Sequence, residues 1–204
     1  RANPYLPLCP YAGRCSAGHV IWYICQGKID AEKFVHHRHV SLDEERRFMA
    51  LILEWTLWHL DSLSREEKRM AYVIKVSDFG GLGSEGRRIP VFVSEFKNHV
   101  STMMTLMQKH FCEHDALFLI VNTSMAFRAM FSVIKMLLTS RQKAKMQVLG
   151  DEKSPEVRAA LGAHLGEVLL VKFGGNLQSA RNCYPLPSPA DIEHWYQTRH
   201  QLPR

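Results

Sequence analysis

Ala116-Leu-Phe-Leu-Ile-Val121 is an unbroken run of six apolar residues, and its reading decides the fold. A strand with one wet face alternates polar and apolar residues, whereas a short continuous apolar run marks a strand covered on both faces, as in a parallel sheet. Asn122-Thr-Ser124 ends the run and offers capping side chains to a helix over Met125–Leu138. A second strand is predicted at Met146-Gln-Val-Leu149, ending on Gly150, and a short helix over Pro155–Leu165 then leads to Val171-Lys-Phe-Gly-Gly175. Strand, crossover helix and strand form one parallel unit.

The helix over Met125–Leu138 carries few strongly polar side chains. Arg128, Ser132 and Lys135 are spaced i, i+4, i+7 and share one narrow face. A crossover helix laid on a sheet is the plain reading. So wide an apolar arc needs cover, either from protein or from something apolar that is not protein, and a lipid would serve.

Working outward, His19-Val-Ile-Trp-Tyr-Ile-Cys25 reads as the first strand, stopped by Gly27. Ser41-Leu-Asp-Glu44 is a capping box that opens a helix over Glu44–Leu63. Met70-Ala-Tyr-Val-Ile-Lys-Val76 is the next strand. Glu95–Phe111 is a helix whose apolar side holds Val100, Met103, Met104, Leu106, Met107 and Phe111; such flexible thioethers fill cores and also suit a wall that adapts to acyl chains. Residues 1–17, with Pro4, Pro7 and Pro10, form an extended lead-in. Residues 176–204, with Pro185, Pro187 and Pro189, form a tail able to dock on the domain.

With 204 residues, 46% hydrophobic and 23% charged, the composition is that of one globular domain with tails. No apolar run reaches the roughly 18–20 residues of a membrane span. A start on Arg1 rather than Met suggests a segment of a longer parent chain with other domains. Five cysteines (Cys9, Cys15, Cys25, Cys112, Cys183), with no C-x-x-C pair, read as reduced thiols of a cytosolic protein. A net charge of +6 favours an anionic partner, nucleic acid or the acidic face of a membrane. The basic residues are scattered without interleaved aromatics, which ranks nucleic acid last.

Several motif-like patterns fail on context. Gly81-x-Gly83-x-x-Gly86 follows a strand, but Pro90 argues against the helix whose N-terminus would hold a pyrophosphate. Asp78-Phe-Gly80 after Val73-Ile-Lys75 mimics kinase elements that a kinase keeps far apart. His36, His37 and His39 point apart on any regular backbone, and the helix bearing His110 ends before His114, so no metal site is read. No nucleophile elbow or paired carboxylate is apparent, which favours a non-enzymatic binding module with no cofactor and no catalytic residues.

Phe118-Leu-Ile-Val-Asn122, the apolar helix after it, Met146-Gln-Val-Leu-Gly150 and above all Val171-Lys-Phe-Gly-Gly175 resemble the C-terminal half of CRAL-TRIO domains. This family of lipid-binding modules includes phosphatidylinositol-, retinaldehyde- and tocopherol-binding members. The resemblance extends upstream through Gly18–Tyr23 and Val73–Gly81 and covers residues 18–175. It implies an α/β fold with about five mostly parallel strands flooring an apolar lipid pocket, flanking helices and a gate helix.

The resemblance also implies site residues. Family members that bind phosphatidylinositol carry an acidic residue before the third strand and a lysine before the fourth. The matching positions are Glu113 and Lys145, and a carboxylate can accept from inositol hydroxyls while a lysine neutralises the phosphodiester. The small hydroxyl pair that contacts a choline-lipid phosphate falls on Val73 and Lys75, which disfavours choline lipid and adds Lys75 to the headgroup set. Met125–Lys145 would be the gate, an amphipathic helix and a following turn, with Phe127, Met130, Phe131, Ile134 and Leu138 on acyl chains or dipping into the bilayer. Phe173, Gly174 and Gly175 would form its hinge. The implied function is binding and inter-membrane exchange of a phospholipid, phosphatidylinositol favoured, by a cytoplasmic protein that meets the membrane surface transiently. The alternative is a lipid-sensing or protein-docking module of a larger signalling protein.

Overall fold

The computed structural model describes residues 8–9, 12–28, 42–81, 114–123 and 138–178, together with single positions between 101 and 136. Of the helix expected over Glu95–Phe111 only Ser101 and Thr105 are described, both helical, and the Gly-rich loop beyond Gly81 and the tail beyond residue 178 lie outside the described residues.

A five-stranded sheet runs β1 (Leu8–Cys9), β2 (Val20–Ile24), β3 (Val73–Asp78), β4 (Asp115–Val121) and β5 (Met146–Val148), and its spatial order is the order of the chain. The pairs β2–β3, β3–β4 and β4–β5 are parallel, and β1 closes the β2 edge antiparallel. The five mostly parallel strands that the resemblance implies are therefore present. The sequence reading places Leu8–Cys9 in an extended lead-in; it is the edge strand.

Alternation sorts the sheet into two faces. Ile21, Tyr23, Ile74, Val76, Leu119 and Val121 point to the lower face and pack on Val157, Leu161 and Leu165 of the helix α3 (Pro155–Leu165) and on Phe173. Val20, Trp22 and Val73 point to the upper face, beneath Ile52, Leu53, Leu60 and Leu63 of the helix α1 (Leu42–Glu67). Helix α1 runs one turn past the expected end at Leu63. Arg65 pairs with Asp61 one turn back, and the Ser62 and Ser64 hydroxyls donate to the carbonyls of Trp58 and Leu60, so polar residues that would stop a helix elsewhere are absorbed here.

The expected turn after the gate helix is itself helical. Helix α2 (Ser140–Ala144) opens on a complete capping box: Thr139 Oγ1 accepts from Gln142 N, and the Gln142 side chain accepts from Thr139 N. It ends on Lys145, which leads directly into β5.

Candidate functional site

Across the upper face, Trp22, Lys75, Phe118 and Met146 stand side by side on β2, β3, β4 and β5. The row beside it is Ile24, Ser77, Ile120 and Val148. One ammonium thus sits in an otherwise apolar floor. Next along β3 beyond Ser77 comes Phe79, whose ring centroid lies 4.0 Å from that of Phe127; Phe127 in turn stacks on Phe131 at 5.5 Å. Phe127, Phe131 and Leu138 are buried. Of the residues expected on the gate, these three are therefore turned inward, while Lys135 lies over the Phe131 ring and Met136 is 74% exposed. Met130, Ile134 and Glu113 lie outside the described residues.

Lys75 is 7% exposed, and a buried ammonium requires a counter-charge. Its Nζ donates to Asp115 Oδ2 at 2.9 Å and lies 2.8 Å from Oδ1, where the angles are not those of a hydrogen bond. It also sits 5.1 Å over the Trp22 ring and 3.3 Å from His114 Nε2. A β-bulge explains how Asp115 comes here. Between β3 and β4 the register shifts at Val73/Ile74, so that Ala116 is the extra residue and Asp115 comes opposite Val73, on the face that holds Lys75. Lys145 Nζ donates to the Asp115 carbonyl at 2.6 Å. Asp115 therefore gathers two lysines that are 70 positions apart in sequence.

His114 is the buried neighbour of this cluster. Burial lowers its pKa to about 4, and the charges of Lys75 and Lys145 reinforce the effect against the opposing pull of Asp115, so the imidazole is neutral near pH 7. Three buried polar atoms in this row have no hydrogen-bond partner among the described residues: Trp22 Nε1, His114 Nδ1 and Asp115 Oδ1. Asp115 Oδ1 is nonetheless held by the charge of Lys75 at 2.8 Å.

A second network ties the strand ends to the Val171-Lys-Phe-Gly-Gly175 segment. Asp78 Oδ1 accepts from Gly80 N at 2.9 Å and from Asn122 Nδ2 at 2.7 Å, and Lys172 forms an ion pair with Asp78. Asn122, at φ 58°, also donates to Glu152 Oε2 and accepts from Glu152 N, each at 2.8 Å. Phe173 is fully buried beneath the sheet and stacks on Tyr23, on the face away from Phe127 and Phe131. Gly174 is left-handed at φ 92°, a conformation that strains any side chain, and a Cβ on Gly175 would stand 2.1 Å from the Leu169 carbonyl oxygen, where there is no room for one.

No group of three or more His, Cys, Asp or Glu side chains among the described residues is arranged to hold a metal, and no described helix is long and apolar enough to cross a membrane. The sheet order, its apolar upper floor and the glycine clasp agree with a match to the CRAL/TRIO domain family model over residues 8–175. The chain belongs to the CRAL/TRIO family. Domains of this family bind lipophilic ligands. Among solved structures, the CRAL/TRIO chain is similar to yeast Sfh5, with a TM-score of 0.63 and 19% identity over 89% of this chain and 59% of Sfh5. It thus spans about three-fifths of that protein's length, and at this identity the likeness shows the fold alone. No curated protein matches the sequence.

Sequence reading missed Asp115 and His114. The bulge that turns Asp115 toward Lys75 leaves no mark in residue spacing, and an acid beside a histidine before a strand is unremarkable in one sequence.

Proposed function

We propose that this CRAL/TRIO domain binds one phospholipid, phosphatidylinositol above others, in a gated apolar pocket and exchanges it with a bilayer without chemistry. The observation that carries the reading is the placing of two lysines on Asp115 at one end of an apolar sheet face. Acyl chains lie over Trp22, Phe118 and Ile120, covered by Phe127, Phe131 and Leu138, and each buried CH₂ contributes about 0.8 kcal/mol toward opening the gate. Lys145, with one of its three donors engaged at the Asp115 carbonyl, offers the others to a phosphodiester. Lys75, paired with Asp115, lies beneath it, and Glu113 supplies an acceptor for headgroup hydroxyls. Hinge motion at Gly174 and Gly175 lets the gate swing at a cytoplasmic membrane surface, with Met136 entering the lipid.

Lys145→Ala is expected to lower phosphatidylinositol transfer between vesicles at least tenfold while the melting temperature stays within a few degrees. Unchanged transfer removes Lys145 from the site.

A further inference from the structure

Asp115 occupies the position of a counter-anion in the pocket floor. Its carboxylate takes up Lys75, which is 8% exposed at the side chain, while its main-chain carbonyl takes up only one donor of Lys145. His114 is neutral. Among the described groups the cluster thus holds two ammonium charges and one carboxylate, an excess of one positive charge. Lys75 is the buried ammonium and must be matched inside the protein, whereas the excess charge sits on half-buried Lys145, where it can meet an anionic ligand.

We infer, on the proposed reading of this pocket as a phospholipid site, that Asp115 is its specificity-determining residue: by masking Lys75 it restricts the headgroup to a single anionic charge. Phosphodiesters with an uncharged polar headgroup meet that condition. Phosphomonoesters, which carry about −1.5 to −2 near neutral pH, do not. Choline lipids have the single phosphate charge but bring a cation against Lys145. Asp115 acts on the ligand through Lys75, so its role differs from that of a packing residue, which would set affinity for all headgroups alike.

The test uses the whole chain loaded from phosphatidylcholine vesicles that contain equal parts phosphatidylinositol and phosphatidic acid, the bound lipids being counted by native mass spectrometry. The wild-type protein is expected to load phosphatidylinositol over phosphatidic acid by at least tenfold. Asp115→Asn unmasks Lys75 and lowers that ratio at least tenfold. Lys75→Met combined with Asp115→Asn removes cation and mask together and keeps the wild-type ratio. This double variant has no buried ion pair to lose, so a loss of phosphatidylinositol in it overturns the inference even if Asp115→Asn alone fails to fold. A ratio unchanged in folded Asp115→Asn, or a tenfold loss of phosphatidylinositol in the double variant, overturns the inference, the latter because Lys75 would then touch the ligand itself. A wild-type protein that loads none of the three lipids overturns the phospholipid reading and the inference with it, and one that loads phosphatidylcholine alone overturns the inference.

Discussion

His114 carries the clearest pH signature in the molecule. Its folded pKa of about 4 lies below the ordinary value of 6.5, so the unfolded chain binds the proton more readily between those two values. Stability contributed by the neutral imidazole is complete above pH 6.5 and is lost as the pH falls toward 4. Between pH 7 and pH 5 this amounts to about 2 kcal/mol. His19 and His59, lowered chiefly by burial, add losses of the same sign. Urea unfolding at the two pH values should therefore show a steep loss in the wild-type protein and a loss smaller by about 2 kcal/mol in His114→Gln. An equal loss in both proteins would mean that the imidazole is protonated in the folded state. The histidine and its aspartate could not be picked out of the sequence, because their meaning depends on Lys75, some 40 positions earlier, and on a one-residue bulge. Lys145 could be, since it stands directly before a strand at the family's position.

At the scale of elements, the four parallel strands were legible because their signal is local, while the two-residue β1 was too short to give one. An apolar run such as Ala116–Val121 reports burial on both faces whatever lies far away in the chain, and α3 followed from its proline start and apolar spacing. Helix α2 was missed for the opposite reason: five residues, Ser140–Ala144, none buried, leave no periodicity to read. Thr139 and Gln142 at capping-box spacing were the available sign. Because so short a helix is marginal by itself, its cap matters more than its length. Thr139→Ala is expected to cost about 1 kcal/mol and to speed amide exchange over residues 140–145 before it does so in β3 or β4. Uniform exchange across both regions would show that α2 opens only with the whole domain.

Considered whole, the domain is two cores on one sheet. Above the sheet, α1 and the aromatic stack around Phe127 cover strands through chain that crosses between them. Below it, α3 and the Val171–Gly175 clasp do so through chain that follows the last strand. The clasp closes on its own carbonyls, with Gly175 N donating to Leu170 O at 3.0 Å and Leu177 N to Leu169 O at 3.0 Å. Its two glycines differ in what they tolerate. Gly174→Ala meets Arg158 only at an ordinary 3.5 Å, so the penalty is conformational, about 1–2 kcal/mol. Gly175→Ala collides with backbone at Leu169 and is expected to lose about 3 kcal/mol or more. Chemical denaturation of the two variants checks the order, and a Gly174→Ala protein as damaged as Gly175→Ala would show the clasp to be one rigid unit.

The lower cover also has a place in time. Protein is made from the N-terminus, so every strand of this sheet leaves the ribosome before residues 155–173 do. Until they emerge, Ile21, Tyr23, Ile74, Val76, Leu119 and Val121 lack their main partners. A nascent chain stalled short of Pro155 displays a broad sticky underside to chaperones and to other copies of itself, however well its upper side has formed. Synthesis of α3 and the clasp is therefore the step that covers the underside.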